Sequence, residues 1–225
     1  ISTSVNRTPI SFDLLKKVIA NKPVMLAVYG YFGHMWELYA MWTWLPLFLK
    51  ASLTQYSPGI NPWLGGLLSF ISIGAAGAIG CVIGGHYADK IGRARLTVIA
   101  MSVSALSAVM IGFSFGKAVW ITFALAFIWG MSVIADSAQF SAAITEFSNV
   151  EYVGTALTFQ MSIGFLITII SINIVPVIQN YIGWNWVFAF LSTGPVLGII
   201  AMVRLSSYEK ARILKESGVN TLIQN

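Results

Sequence analysis

Residues 84–97 read GGHYADKIGRARLT, and this short charged stretch separates two long apolar runs. Its basic side chains are Lys90, Arg93 and Arg95. The paired glycines let backbones approach closely, and Asp89 can accept hydrogen bonds at a helix end. The apolar runs on either side, residues 63–85 and 97–115, each match the roughly 20 residues that a helix needs to cross the hydrocarbon core of a bilayer. The stretch therefore predicts a tight turn between two membrane-spanning helices.

The composition of the whole chain fits a membrane rather than water. Of its 225 residues, 57% are hydrophobic and 9% are charged, whereas an ordinary soluble domain carries about 25% charged residues. The long apolar runs do not alternate as the strands of a membrane barrel would. We therefore predict an all-α integral membrane protein with six transmembrane helices. The six apolar runs are approximately residues 24–49, 63–85, 97–115, 118–141, 154–178 and 184–204.

The distribution of Lys and Arg predicts the orientation of these helices. The basic residues of one side are Arg7, Lys16, Lys17, Lys22, Lys90, Arg93, Arg95, Arg204, Lys210, Arg212 and Lys215. The opposite loops carry only Lys50 and Lys117. By the positive-inside rule, both ends of the chain then face the cytoplasm, and we expect a plasma (inner) membrane protein. The net charge of +5 follows from this bias and from attraction to acidic membrane lipid, so it gives no reason to predict nucleic-acid binding.

The stretch 84–97 also resembles the signature loop of the major facilitator superfamily, which runs Gly, three residues, Asp, Arg or Lys, one residue, Gly, Arg, with a further basic residue close behind. The matching residues are Gly85, Asp89, Lys90, Gly92, Arg93 and Arg95. In that family the loop joins the second and third helices of each six-helix half, and here it lies between the second and third runs. The resemblance implies that the loop is part of a cytoplasmic gate. A basic loop with an incidental Asp would also account for the charges.

A second stretch, ITEFSNVEYVGTALTF at residues 144–159, resembles the family's segment between the fourth and fifth helices of a half. There an acidic residue precedes a short turn, an Arg-Gly pair and the small-residue start of a helix. Glu146 and Gly154 fit this pattern, and Val153 stands where the arginine is usual. The resemblance makes Glu146 the candidate partner of Arg93 at the gate.

The family fold has two six-helix halves, each built from two three-helix units of inverted topology. Six spans therefore resemble one half, and the basic lead and the absence of an initial Met lead us to expect the C-terminal half of a longer protein. We predict a cytoplasmic lead at residues 1–23, the half itself at 24–204 and a cytoplasmic tail at 205–225. Within the lead, residues 11–20 predict an amphipathic helix with Ser11 as its cap. A complete six-span protein is the competing interpretation.

The first run contains a histidine and a glutamate, within the stretch GYFGHMWELYAMW at residues 30–42. His34 and Glu37 are three apart and share a helical face. At helical rise they lie roughly 16 Å beyond the start of the span at Pro23, near the middle of a core about 30 Å thick. An ionised carboxylate at that depth costs several kcal/mol unless it faces a partner or a water-filled cavity. Since the resemblance implies that the first helix of each half lines the central cavity, we predict a substrate or proton site.

Other interpretations of the polar residues inside the spans stay open. His34 can be a satisfied interior histidine, and Glu37 can be a neutral carboxyl group that hydrogen-bonds to another helix. Asp136, toward the cytoplasmic end of the fourth run, suits either a gate or an anchor. Gln139 and Gln160 can line the solute path, but a hydrogen bond from either amide to a neighbouring helix explains them equally well.

The second span has a face of small residues. Gly74, Gly77, Gly80 and Gly84 follow one another at helical spacing. Such residues let neighbouring backbones touch, which predicts close packing against another helix. The face can serve static packing or a sliding motion.

Together with the resemblance, these features predict a secondary transporter of a small molecule that works by alternating access and is driven by protons. The chain has no Walker-type phosphate loop. Its single cysteine, Cys81, and its two histidines show no metal-site spacing, and no residues form a catalytic constellation. We therefore expect no cofactor, no metal and no enzyme activity. The alternative from another class is a membrane-embedded sensor or interaction module that kept the fold without transport, for which Val153 gives slight support.

Overall fold

The structure is a computed structural model that describes the backbone of residues 12–61 and 63–223 and the side chains as far as residue 215. The described backbone is helical and contains no strand. Ser11, the predicted cap of the lead helix, lies outside the described residues. The helices are α1 (Phe12–Ala20), α2 (Lys22–Tyr56), α3 (Trp63–Phe70), α4 (Ala76–Ile91), α5 (Arg93–Phe113), α6 (Val119–Ala135), α7 (Ser137–Phe147), α8 (Val153–Ile182), α9 (Trp184–Leu191) and α10 (Thr193–Ile223).

Three of the long helical stretches are interrupted. A π-helical turn, Ile71–Ala75, joins α3 to α4, and Asp136 separates α6 from α7. Ser192 separates α9 from α10, where Pro195 lies in the first turn of the new helix. Proline is tolerated at that position because the first N–H groups of a helix have no partner within it. The helical axis can therefore change direction at these three points without losing backbone hydrogen bonds elsewhere.

By length and composition, five helical stretches of the described chain can cross a membrane: Trp63–Ile91, Arg93–Phe113, Val119–Phe147, Val153–Ile182 and Trp184–Lys215. This supports the predicted all-α membrane protein. The remaining helix, α2, is long enough with 35 residues, but its tyrosines and tryptophans, together with Lys22, His34, Glu37 and Lys50, make it less apolar than the others. The sixth span therefore stays a prediction. The last helix continues well beyond residue 204, where the sequence places its membrane exit.

The bundle is assembled around α2, which packs against α3, α6, α7, α8 and α10. Two further pairs of helices pack closely, α4 on α6 and α5 on α10. Helix α5 also packs on α6 and thereby connects the two pairs. The stretch Trp63–Ile91 and helix α8 are the least buried, with 28% and 22% of their apolar windows inside the fold, against 50% for α5. Large apolar faces of these two elements are thus left without a partner within the described chain.

Glycines set the closest approach between α4 and α6. A Cβ atom at Gly80 or Gly84 would overlap the backbone carbonyl of Met131 or Ala135. Gly77 faces the same helix through the side chain of Ile134, whereas Gly74 meets only the ring of Phe70 in its own span. The predicted close packing of the second span is confirmed for three of its four glycines.

The lead helix α1 is fastened to the turn between α7 and α8. Lys17 Nζ lies 2.7 Å from Glu151 Oε1. The side-chain amide of Asn21 donates to the carbonyl oxygen of Phe147 at 3.0 Å and to the hydroxyl of Tyr152 at 2.8 Å, while its oxygen accepts from the amide of Val24 at the start of α2. This end of the bundle also carries the charged stretch 84–97, and we call it the basic end.

Candidate functional site

Three ionisable side chains lie inside the bundle, and we call them the buried cluster: His34, Glu37 and Asp136. The first two come from the middle of α2, and Asp136 occupies the interruption between α6 and α7. Their exposed fractions are 2%, 1% and 1%. The described helices alone are enough to remove them from the surface. Ionisable groups enclosed in a protein interior are costly unless they are paired, and they often belong to functional sites.

Glu37 is held by one neutral donor at each carboxylate oxygen. The hydroxyl of Ser104 on α5 donates to Oε2 at 2.7 Å, and the indole N–H of Trp129 on α6 donates to Oε1 at 2.9 Å. Both donors are themselves buried. The carboxyl group therefore points toward α5 and α6, into the interior of this helical bundle. Among the side chains that the structure describes, no Lys or Arg pairs with it.

His34 faces the other acidic member of the cluster. Its Nδ1 atom lies 3.0 Å from Asp136 Oδ1. The imidazole is stacked on Tyr31 at a centroid distance of 6.0 Å and lies 5.3 Å from the ring of Phe140. Its Nε2 atom is buried and has no hydrogen-bond partner in the described part of the chain. The sequence groups His34 with Glu37, but in the structure each of them finds its nearest polar partner on a different helix.

Gln160, the other residue proposed to line a cavity, lies apart from these contacts. It is fully buried on α8, and its Oε1 atom accepts from the hydroxyl of Ser141 at 3.4 Å. Its amide nitrogen has no hydrogen-bond partner among the described residues. The structure thus gives it a contact with α7 and no direct bond to the buried cluster.

At the basic end, Arg93 is the centre of a second set of polar contacts. Its Nε atom donates to Glu146 Oε1 at 2.5 Å, and its Nη1 atom donates to Gln139 Oε1 at 2.8 Å. Asp89 is farther away, with 3.7 Å between Arg93 Nη2 and Asp89 Oδ1, and its side chain is 74% exposed. The contact between Arg93 and Glu146 that the sequence suggests is present, and it joins α5 to α7.

Helix α10 completes this set from the other side. The carboxylate of Glu209 accepts from the backbone amides of Arg93 at 2.8 Å and Ala94 at 3.2 Å, which satisfies free N–H groups at the start of α5. Arg212 Nη1 lies 3.1 Å from the carbonyl oxygen of Glu146 and 3.5 Å from its Oε2 atom. Glu146 therefore lies between two guanidinium groups, and Arg212 supplies a cation although Val153 replaces the arginine usual in the family.

We call this set the basic-end network: Asp89, Arg93, Gln139, Glu146, Glu209 and Arg212. Sequence reasoning missed the parts played by Glu209 and Arg212. The available signal was the position of Glu209 as the only acidic residue between 205 and 215. An isolated acid in an otherwise basic helical segment marks a specific partner, here the start of α5.

The basic-end network borders a cavity of about 490 Å³. Its polar lining residues are Asp89, Lys90, Arg93, Arg95, Glu146, Glu209, Lys210 and Arg212. Gly92 also lines it with a φ of 94°, a conformation that favours glycine. Among the predicted gate residues only Gly85 lies outside, with no neighbour within 4 Å of a Cβ built there. The structure therefore brings the charged residues of the first motif and Glu146 of the second to one place.

Two cavities of about 550 Å³ lie at the surface of α2, and neither is lined by a residue of the buried cluster. One of them is mainly apolar and opens between α2, α8 and α10 beside Trp36. Among the described residues no group of His, Cys, Asp and Glu is arranged to hold a metal ion. The residues of the buried cluster thus line none of these three cavities.

Comparison with known proteins gives the family. A family model described as Major Facilitator Superfamily matches residues 2–172, well over half of the chain. A comparison with curated proteins found no match. The match includes both sequence motifs and the buried cluster, and members of this family are transporters rather than enzymes. The chain belongs to the major facilitator superfamily of membrane transporters.

Proposed function

We propose that the chain is the C-terminal half of a proton-coupled secondary transporter and that the buried cluster is its proton site. One observation carries this proposal: two carboxyl groups and one imidazole are enclosed by the helices, and no Lys or Arg of the described residues pairs with them. If all three were charged, the cluster would hold a net negative charge inside a membrane. Such a charge is costly at this depth. Uptake of one proton removes it, so the cluster favours proton binding.

The surroundings of the cluster favour a proton over the transported solute. The polar contacts of Glu37 and Asp136 are made with protein side chains, and no described cavity reaches them. The solute site would then lie elsewhere, on the surface that meets a second six-helix half. The large unpartnered apolar faces of Trp63–Ile91 and α8 support such an interface. We propose a small-molecule solute, and both ends of the six-span half on the cytoplasmic side of a plasma membrane.

Alternating access requires contacts that form in one state and break in another. The basic-end network suits this role because it ties the start of α5 to α7 and to α10 through partly exposed side chains. Opening this end would break the bonds of Arg93 and Glu209. We propose that the network is the cytoplasmic gate and that its charged pairs hold the closed state.

The test is uptake into proteoliposomes by the assembled transporter, comprising this chain and its second half. A panel of labelled small metabolites is offered with and without an imposed pH gradient. Glu37→Gln keeps the shape and one oxygen acceptor but cannot exchange a proton. We expect it to abolish gradient-driven accumulation while exchange of the solute continues.

Glu151→Gln is the matched control because Glu151 is an exposed carboxylate in a surface pair at the end of the same bundle. It should accumulate solute normally. Full accumulation by Glu37→Gln would show that this carboxyl group is structural. A panel in which nothing is transported, with solute binding retained, would favour the alternative of a non-transporting sensor, for which Val153 is the supporting observation.

A further inference from the structure

Gln139 is the member of the basic-end network that also contacts the buried cluster. It belongs to the first turn of α7 and is only 3% exposed. Its backbone N–H donates to the carbonyl oxygen of Asp136 at 2.9 Å. Its side-chain oxygen accepts from Arg93 Nη1 at 2.8 Å. One residue is thus bonded to an acidic member of the cluster through its backbone and to the central arginine of the network through its side chain.

The helix is interrupted at Asp136, directly before the turn that carries Gln139. α6 ends at Ala135 and α7 begins at Ser137, so Asp136 belongs to neither helix. Its carboxylate faces His34 on α2, and its carbonyl oxygen accepts a hydrogen bond from the backbone N–H of Gln139 in the first turn of α7. A change in the attraction between His34 and Asp136 therefore acts directly on the start of the helix that carries Gln139 and Glu146.

We propose that Gln139 is the positioning residue through which the proton load of the buried cluster sets the closure of the basic end. This inference rests on the proposed proton site. When the charge on the cluster changes, Asp136 shifts relative to His34 and the first turn of α7 follows. Gln139 then tightens or releases the guanidinium of Arg93, whose bond to Glu146 depends on the same side-chain orientation. A change in the protonation of the buried cluster is thereby converted into opening or closing of the basic end.

The charged and titratable groups of the described residues around this path come from four helices besides α7. From α2 they are His34, Glu37 and Tyr31, and from α4 and α5 they are Asp89, Lys90, Arg93 and Arg95. From α10 they are Glu209, Lys210 and Arg212, and α7 itself adds Glu146. Helix α6 has no ionisable residue, and α8 has only a tyrosine near its far end. A pH response at the basic end that is lost in Asp136→Asn would therefore point to the buried cluster.

The experiment measures opening of the basic end without knowledge of the solute. Ala88 lines the cavity beside Arg93 and is 2% exposed, so a cysteine at this position reacts when the end opens. In the assembled transporter, Cys81→Ser removes the native thiol and Ala88→Cys supplies the reporter. Its rate of reaction with a membrane-impermeant maleimide is followed over a range of pH and divided by the rate for free glutathione at the same pH.

Gln139→Met is the test variant because it keeps the length of the side chain and loses the oxygen acceptor. We expect the reporter with native Gln139 to change its rate with pH and Gln139→Met to lose that dependence. Loss of a hydrogen bond to a charged group changes such an equilibrium on the order of tenfold. Gln139→Glu restores an acceptor for Arg93 and should restore the response. Adding Asp136→Asn to it should abolish the response again, which distinguishes the relay from titration of the new glutamate itself.

Gln160→Met is the matched control, since Gln160 is an equally buried amide without a bond to Arg93, and it should respond normally. A normal response in Gln139→Met, together with loss of the response in Asp136→Asn, would overturn this inference and leave the proton site intact. Absence of any response with native Gln139 would instead count against the proton site itself. If Gln139→Met unfolds, Gln139→Glu takes its place as the test of the proposal. Failure of a stably folded Gln139→Glu to respond to pH would also contradict the proposal.

Discussion

The buried cluster and the basic-end network place similar side chains in opposite surroundings. In the cluster, Glu37 and Asp136 are 1% exposed and are held by two neutral donors and a histidine. In the network, the side chains of Arg93 and Glu146 are 27% and 29% exposed and pair directly as opposite charges. A charge interaction is strong where water is absent and weak where water and salt screen it. The cluster should therefore dominate stability and proton response, whereas the network should control the balance between states.

The largest expected effect comes from removing one member of the buried pair. His34→Leu leaves Asp136 enclosed without its partner, and such losses typically cost about 3–5 kcal/mol in the free energy of unfolding. The double variant His34→Leu/Asp136→Leu should recover much of this loss, because a well-packed apolar pair is often no less stable than a buried ion pair. Unfolding in mixed detergent measures the free energy of unfolding of the single variant and of the double variant.

The control for the variants of His34 and Asp136 is the exposed pair of Lys17 and Glu151. Lys17→Met should change the free energy of unfolding by less than about 1 kcal/mol. If the single change at His34 were as mild as the change at Lys17, burial would not distinguish the two regions, and the comparison would fail.

A smaller effect is expected when one donor to Glu37 is removed. Ser104→Ala leaves Oε2 without its hydrogen bond, and an unsatisfied buried group costs about 1–3 kcal/mol. Ser102→Ala is the matched control, since Ser102 is exposed on the same helix and its hydroxyl bonds only to the carbonyl group of Val98. We expect Ser104→Ala to alter the pH profile of uptake and Ser102→Ala to leave it unchanged. Identical pH profiles would mean that Ser104 does not bear on proton binding.

At the basic end, Arg93→Gln should affect transport more than stability. The change removes bonds to Glu146 and Gln139 from partly exposed positions, so we expect a loss of about 1–2 kcal/mol that shrinks at high salt. Transport should fall severely because the closed state loses its central contact. Arg204→Gln, at an exposed position outside the basic-end network, is the control. A salt-independent loss as large as that of His34→Leu would contradict the assignment of Arg93 to a screened surface network.

The smallest effect on stability is expected for Asp89→Asn. The carboxylate is 3.7 Å from Arg93 and 74% exposed, so its pair should contribute less than about 1 kcal/mol. Expression should stay near normal while the transport rate falls, because a small difference in free energy between two states still shifts their populations. Accessibility labelling of both sides measures those populations. Unchanged populations would show that Asp89 has no part in gating.

Much of this architecture can be predicted from the sequence, because a bilayer imposes simple rules. The apolar runs predict the membrane-crossing stretches, and the spacing of Asp89, Arg93 and Glu146 leads to the contact at the basic end. These features depend on local sequence and on a family motif. Glycine spacing likewise predicts the close approach of α4 to α6.

The partners of the buried cluster could not be predicted in the same way. His34 and Glu37 share a helical face, yet His34 reaches Asp136 between α6 and α7, whereas Glu37 reaches Ser104 and Trp129. Which helix each side chain meets depends on the register between α2 and α6 and on the interruption at Asp136. Glu209 was missed for a related reason, since α10 must continue past residue 204 to bring that carboxylate to the start of α5. Long-range register is not encoded in any one stretch.

The central claim is that the buried cluster binds and releases a proton, and infrared spectroscopy tests it most directly. Reconstituted protein is titrated in lipid, and the carbonyl stretch of protonated carboxyl groups is recorded against pH. We predict a band that appears reversibly with pH, that loses intensity in Glu37→Gln or Asp136→Asn, and that is unchanged in the surface control Glu151→Gln. A band that is identical in all four proteins would contradict the account.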